Sequence, residues 1–149
     1  MTEVQIHESG ERIPISVLTG FLGSGKTTLL SRLLRDPAMS DTAVVINEFG
    51  EVGLDHMLVE SSSDDVIVMD SGCLCCTIRS DLVDTLRSLF RRRVTSEIPD
   101  FSRLVIETTG LADPAPILHT LMTDPLVAAR YRLDAVITTV DGVNAFNQL

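Results

Sequence analysis

The 149-residue chain has no tryptophan, one tyrosine and one lysine, and its only cysteines fall within four positions. Without tryptophan and with only five phenylalanines, the interior has to be built from aliphatic side chains. A hydrophobic content of 44%, rich in Val, Ile and Leu, is the composition of buried parallel strands covered by helices. Positive charge is scarce as well: 12 Lys and Arg face 21 Asp and Glu, for a formal net charge of −9. That balance excludes a general nucleic-acid surface, which needs clustered cations to displace the counterions of a polyphosphate. The one basic run, Arg91-Arg92-Arg93, reads as the solvated last turn of a helix, where cations complement the dipole. No apolar run approaches the roughly 20 residues that span a bilayer. Residues 1–12 lack the basic-then-apolar layout of a secretory signal. The expectation is a cytoplasmic protein with no membrane or nucleic-acid partner.

The length suits one compact domain with a real core and is short for two. After a polar leader, residues 1–12, the domain is expected over residues 13–149. Ile13 to Leu18 is a short apolar run ending at a Gly-rich turn, and Lys26 to Arg35 shows helical apolar spacing until Asp36-Pro37 stops it. Further short runs at Ala43 to Ile46, Val66 to Met69, Leu104 to Ile106 and Ala135 to Val140 read as buried strands rather than alternating, half-exposed ones. Between them Thr77 to Arg93 places Ile78, Leu82, Leu86, Leu89 and Phe90 on one helical face. Asp113-Pro114 and Asp124-Pro125 each put a capping residue before a proline suited to the first helical position. Glu60 to Asp65 reads as a surface loop. Strands alternating with helices predict an α/β fold, a mostly parallel sheet flanked by helices with right-handed crossovers.

Gly20-Phe21-Leu22-Gly23-Ser24-Gly25-Lys26-Thr27 fits G-x-x-x-x-G-K-[ST], directly after a predicted strand and before a predicted helix. The glycines let the backbone curl so that successive N–H groups face phosphate oxygens, Lys26 supplies a cation, and the Thr27 hydroxyl can hold Mg²⁺. The motif points to a nucleoside triphosphate without naming its base. Leu104 to Gly110 adds an apolar strand ending in Glu107, with Gly110 three residues on. A carboxylate there can hold Mg²⁺, and the Gly110 N–H can sense a γ-phosphate. Asn47 to Asp55 follows another strand with three carboxylates, and reads as an acidic loop or as a segment ordered by Mg²⁺ and phosphate.

Cys73, Cys75 and Cys76 lie in Ser71-Gly72-Cys73-Leu74-Cys75-Cys76-Thr77. The C-x-x-C spacing lets one turn present two sulfurs, with Cys75 a third, and thiolates select ions such as Zn²⁺. A helix starting near Thr77 would lower the thiol pKa values through its dipole. The same spacing serves a redox centre, and buried packing is a third reading. Three sulfurs leave a tetrahedral ion one ligand short. Glu48, Glu51, His56, Asp70, water or a partner's side chain are the candidates, whereas His7 and His119 look incidental.

Together GFLGSGKTTLL, NEFGEVGLD, GCLCC and ETTGLADP, in this order from about Ile13 to Asp141, resemble the CobW-type P-loop GTPases, which include zinc-regulated metallochaperones and activators of metalloenzymes. The resemblance implies a P-loop NTPase-like GTPase domain that hydrolyses GTP with Mg²⁺, binds zinc or a related divalent ion, and delivers it to a client metalloprotein. It implies phosphate binding by Gly20, Gly23, Ser24, Gly25, Lys26, Thr27 and Thr28. It also implies catalytic roles for Lys26, Glu107 and Gly110, Mg²⁺ at Thr27 and Glu107, and zinc at Cys73, Cys75 and Cys76. Family members continue past this length, with a guanine-reading motif ending Lys-x-Asp and a C-terminal domain. The sole lysine here is Lys26, so the domain is expected to be incomplete. A truncated, non-catalytic metal- or partner-binding module and an ATPase with redox-controlled cysteines are the alternatives.

Overall fold

The computed structural model describes residues 12–21, 24–47, 66–69, 71–78, 81–108 and 114–143. Its strands are β1 (Ile13–Gly20), β2 (Thr42–Asn47), β3 (Val66–Val68), β4 (Leu74–Ile78), β5 (Arg103–Glu107) and β6 (Tyr131–Thr139). They form one sheet in the order β3-β4-β2-β5-β1-β6. All neighbours are parallel except β3, which runs antiparallel to β4. Four α-helices complete the described fold: α1 (Lys26–Arg35), α2 (Leu82–Val94), α3 (Ala115–Thr123) and α4 (Pro125–Arg130). A mostly parallel α/β sheet flanked by helices is the architecture that the strand and helix alternation predicts.

The sheet separates two apolar layers. On one side Leu30 and Leu34 of α1 pack on Leu18, Val44, Ile46 and Val105. These leucines lie four apart on one helix face, and each removes about 1.5–3 kcal/mol worth of side chain from water. On the other side Leu86 and Leu89 of α2, Leu121 of α3 and Val127 of α4 cover Ile13, Ile15, Val17, Val45 and Ile106. The Tyr131 hydroxyl, buried at the start of β6, donates to the Leu86 carbonyl at 2.8 Å and ties the edge strand to α2.

Helix boundaries follow local chemistry. Asp81 caps α2, its carboxylate accepting from Val83 N at 3.0 Å, and Arg91, Arg92 and Arg93 occupy the last turn. Asp124 caps α4 as expected, accepting from Leu126 N and Val127 N, with Pro125 in the first turn. Pro114 rather than Asp113 takes the cap position of α3, and Asp113 lies outside the described residues.

Three expectations are corrected. The run at Val66, expected as a buried strand, is the short strand Val66–Val68 at one end of the described sheet, with Val68 53% exposed. The helix read from Thr77 begins only at Leu82, and Thr77 and Ile78 end a strand whose residues pair with Ile46 and Asn47 of β2. Ile78 stands four before Leu82, so a strand end extends the helical spacing by accident. The last strand starts at Tyr131, not Ala135, and is not buried on both sides. Tyr131 is buried and Leu133 half-buried against the helices, while Arg132 and Asp134 point outward, and Val136 and Ile137 are 45% and 46% exposed. Among the described strands it stands at the sheet edge, beside β1.

Candidate nucleotide site and cysteine hairpin

The phosphate loop sits where β1 ends and α1 begins, at the carboxyl ends of the parallel strands, where ligands of open α/β sheets collect. Gly25 caps α1 with φ at 100°, a conformation that side-chain-bearing residues avoid. Gly20 has φ at 148°, and a Cβ there would lie 2.3 Å from Thr139 Oγ1 and 2.7 Å from Ser24 Oγ. Both glycines are required by the backbone path. Lys26, only 2% exposed, donates from Nζ to the Gly20 carbonyl at 2.7 Å and lies 3.4 Å from that of Phe21. Its ammonium is thus held within the loop that the motif forms, beside the half-buried Thr27 and ahead of the exposed Thr28.

Glu107, 3% exposed, ends β5 in register with Leu18 of β1. The next residue, Thr108, is fully buried and donates to the Leu18 carbonyl from both its N–H, at 2.9 Å, and its hydroxyl, at 3.2 Å. The carboxylate is therefore fixed on the strand adjoining the phosphate loop. Gly23 and Gly110 lie outside the described residues, as do Asp55 and the segment 48–54 before it.

Sequence spacing gives no hint of Thr139. At the far end of the edge strand, its hydroxyl hydrogen-bonds that of Ser24 at 2.6 Å and donates to the Thr19 carbonyl at 3.3 Å. The loop is thereby pinned to a residue more than a hundred positions away. Only a polar residue closing an otherwise apolar run marks it in the sequence.

The cysteines do not lie on one turn. Between β3 and β4, Gly72 N donates to Met69 O and Met69 N to Cys73 O, both at 2.8 Å. Cys75 and Cys76 then continue as strand residues, and successive strand side chains point to opposite faces. Cys73 and Cys75 join the α1 layer, whereas Cys76 joins the opposite one. All three are buried, and none is in a disulfide. The Cys73 thiol donates to the Thr42 carbonyl at 3.1 Å.

The expected lowering of the thiol pKa values is overturned. No helix starts at Thr77. Burial pushes Cys73 up to about 11, helped by the charge of Asp41. Burial likewise pushes Cys75 up to about 12, with smaller contributions from its neighbouring cysteines and Glu107. Among the described residues, no three or more His, Cys, Asp or Glu side chains are arranged to hold a metal ion. Glu48, Glu51, His56 and Asp70, named as candidate fourth ligands, fall outside those residues, as does His7. His119 is exposed on α3.

Phosphate loop and cysteine hairpin meet through α1. Its first residue is Lys26, and Leu30 at its middle and Leu34 near its other end share an apolar cluster with Cys73 and Cys75. The Ser71 hydroxyl, in the hairpin bend, donates to the Leu34 carbonyl.

Residues 14–148 match the family described as CobW/HypB/UreG, nucleotide-binding domain. The chain is 42% identical over 137 residues to the zinc chaperone YjiA of Escherichia coli, covering 92% of this chain and 43% of that protein. It is 34% identical to zinc-regulated GTPase metalloprotein activator 1 of Schizosaccharomyces pombe, covering 92% and 34% of the two. With the zinc chaperone CobW of Pseudomonas aeruginosa the identity is 37%, covering 87% and 36%. The crystal structure of Zn(II)-bound YjiA GTPase from E. coli superimposes with a TM-score of 0.73 at 40% identity, covering 92% of this chain and 43% of that one. The chain thus spans less than half the length of these relatives.

Proposed function

The chain belongs to the CobW/HypB/UreG nucleotide-binding domain family, and on that premise we propose that it is the nucleotide-binding part of a GTP-hydrolysing metallochaperone. In this reading it takes zinc or a related divalent ion at Cys73, Cys75 and Cys76 and passes it to a client metalloprotein in the cytoplasm; because Cys76 faces the layer opposite Cys73 and Cys75, holding one ion with all three requires β4 to rearrange. The carrying observation is that one helix begins at the phosphate loop and, through Leu30 and Leu34, shares an apolar cluster with two of the three cysteines. Guanine preference comes with the family, since the chain holds no Lys-x-Asp.

Gly20, Gly23, Ser24, Gly25, Lys26, Thr27 and Thr28 form the phosphate cradle, with backbone N–H groups and the Lys26 ammonium facing the oxygens. Thr27 and Glu107 would hold Mg²⁺; a hydroxyl and a carboxylate are the hard oxygen donors that this ion selects. The bound ion would neutralise charge on the terminal phosphates. Lys26 stabilises the negative charge that builds during phosphoryl transfer. Gly110 senses whether a γ-phosphate is present.

Nucleotide and zinc are coupled if each changes the other's affinity by the same factor. Zinc titrations with and without a non-hydrolysable GTP analogue test this, with a shift of at least about fivefold expected. Identical affinities sink the coupling. In Lys26→Ala, nucleotide binding and its effect on zinc are expected to disappear while zinc binding by itself persists. The burial of all three thiols favours a second reading, in which they are core residues and no metal is bound. Equilibrium dialysis that finds no bound zinc with or without nucleotide would establish it.

A further inference from the structure

On the side of the sheet away from α1, helices α2 and α4 leave a groove of about 480 Å³ between them. Its floor is aromatic: the rings of Phe90 and Tyr131 meet edge to face, 6.2 Å apart. Its rim is basic. Arg87 and Arg91 stand one turn apart on α2, and Arg130 faces them from the end of α4, its guanidinium 4.8 Å above the Phe90 ring. Leu126, 53% exposed, adds an apolar wall.

Most other described arginines are engaged. Arg92, Arg93, Arg103 and Arg132 pair with Glu97, Asp100, Asp41 and Asp134. Arg87, Arg91 and Arg130 are exposed and make no ion pair with a described carboxylate. In a chain of net charge −9, three guanidiniums without a described carboxylate partner, one of them stacked on Phe90, form a local field of opposite sign around an aromatic floor. Arginine and aromatic side chains around a desolvated pocket are also the make-up of residues that dominate binding energy at interfaces.

We propose that this groove binds an acidic segment of a partner protein, with one apolar side chain seated against Phe90 and Leu126 and carboxylates reaching Arg87, Arg91 and Arg130. The apolar floor requires an amphipathic occupant, which a bare phosphate is not. Asp84, on the rim toward the start of α2, repels a compact anion there, whereas a peptide can place a neutral residue opposite it. The overall charge opposes a nucleic-acid backbone. The groove lies on the face of the sheet away from α1, whereas the phosphate loop lies at the carboxyl ends of the strands, so the two share no lining residue.

The test is fluorescence anisotropy of the full chain with a labelled octapeptide, Glu-Leu-Glu-Glu-Phe-Glu-Glu-Leu, against a control with every Glu replaced by Lys. Saturable binding of the acidic peptide is expected, weakening as salt rises. Arg87→Ala/Arg91→Ala and Arg130→Ala should each reduce affinity about three- to fivefold with nucleotide binding unchanged, and the Arg87→Ala/Arg91→Ala variant should keep the wild-type melting temperature. Arg87→Glu/Arg91→Glu should reverse the preference toward the lysine peptide. No saturable binding, equal binding by the alanine variants, or displacement of the peptide by millimolar pyrophosphate would each overturn the proposal, the last by assigning a small-anion site.

Discussion

Iodoacetamide attacks thiolates, so its rate at pH 7.5 reports how strongly the fold holds a proton on sulfur. A thiol whose pKa is raised from 9.0 to about 12, as burial does to Cys75, carries about a thousandfold less thiolate at that pH. For Cys73, raised to about 11, the factor is about a hundred. Limited access to the buried sulfurs slows the reaction further. Time-resolved mass spectrometry of each cysteine, in native protein and in guanidinium, gives the ratio directly. Modification of native Cys75 within tenfold of its unfolded rate would refute the burial argument. The linkage has a definite sign: a raised acid pKa adds stability that is present below pH 9 and lost as pH climbs toward the folded value. At pH 10 the loss from Cys75 is about 1.4 kcal/mol. Urea melts from pH 8 to 10 should show it, and Cys75→Ala should flatten the slope.

Gly20→Ala should destabilise the chain by about 2–4 kcal/mol, because its Cβ would overlap Thr139 Oγ1 at 2.3 Å on a backbone already at positive φ. A melting temperature within a degree of wild type would contradict the packing. Thr139→Val removes the hydroxyl that holds Ser24 and should weaken nucleotide binding about three- to tenfold, while Thr139→Ser retains it. Isothermal titration of the two variants distinguishes that tether from simple packing, since a structural loss alone would leave nucleotide affinity unchanged.

The phosphate loop is legible from sequence because its backbone path can be met only by glycines at particular places, so geometry is written directly as residue type. Asp124-Pro125 is legible for the same kind of reason: capping is local. The cysteine strand is not. Ile78 stands four residues before Leu82, and a strand end thereby counterfeits a helix turn; the pairing with β2 that decides the matter lies some thirty residues away. The alternation that separates Cys75 from Cys76 depends on that pairing. Thr139 and the arginine groove are hidden for a related reason. One contact joins positions 115 apart, and the other brings two helices together across a third. Helical spacing from Leu82 onward and the strand runs at Ile13, Ala43 and Leu104 place the core correctly, because each element repeats its own period within a few residues.

Helix α1 is ten residues long, and so about 15 Å from Lys26 to Arg35. It is rigid over that span, so a rotation about its phosphate-loop end is magnified with distance. A tilt of about 5° carries the other end about 1.3 Å along an arc, further than a hydrogen bond stretches before it breaks. The Leu34 carbonyl, about 12 Å along that axis, would move about 1 Å in such a tilt, so the hydrogen bond it accepts from the Ser71 hydroxyl makes the bend ahead of Cys73 the part of the hairpin most directly exposed to the position of α1.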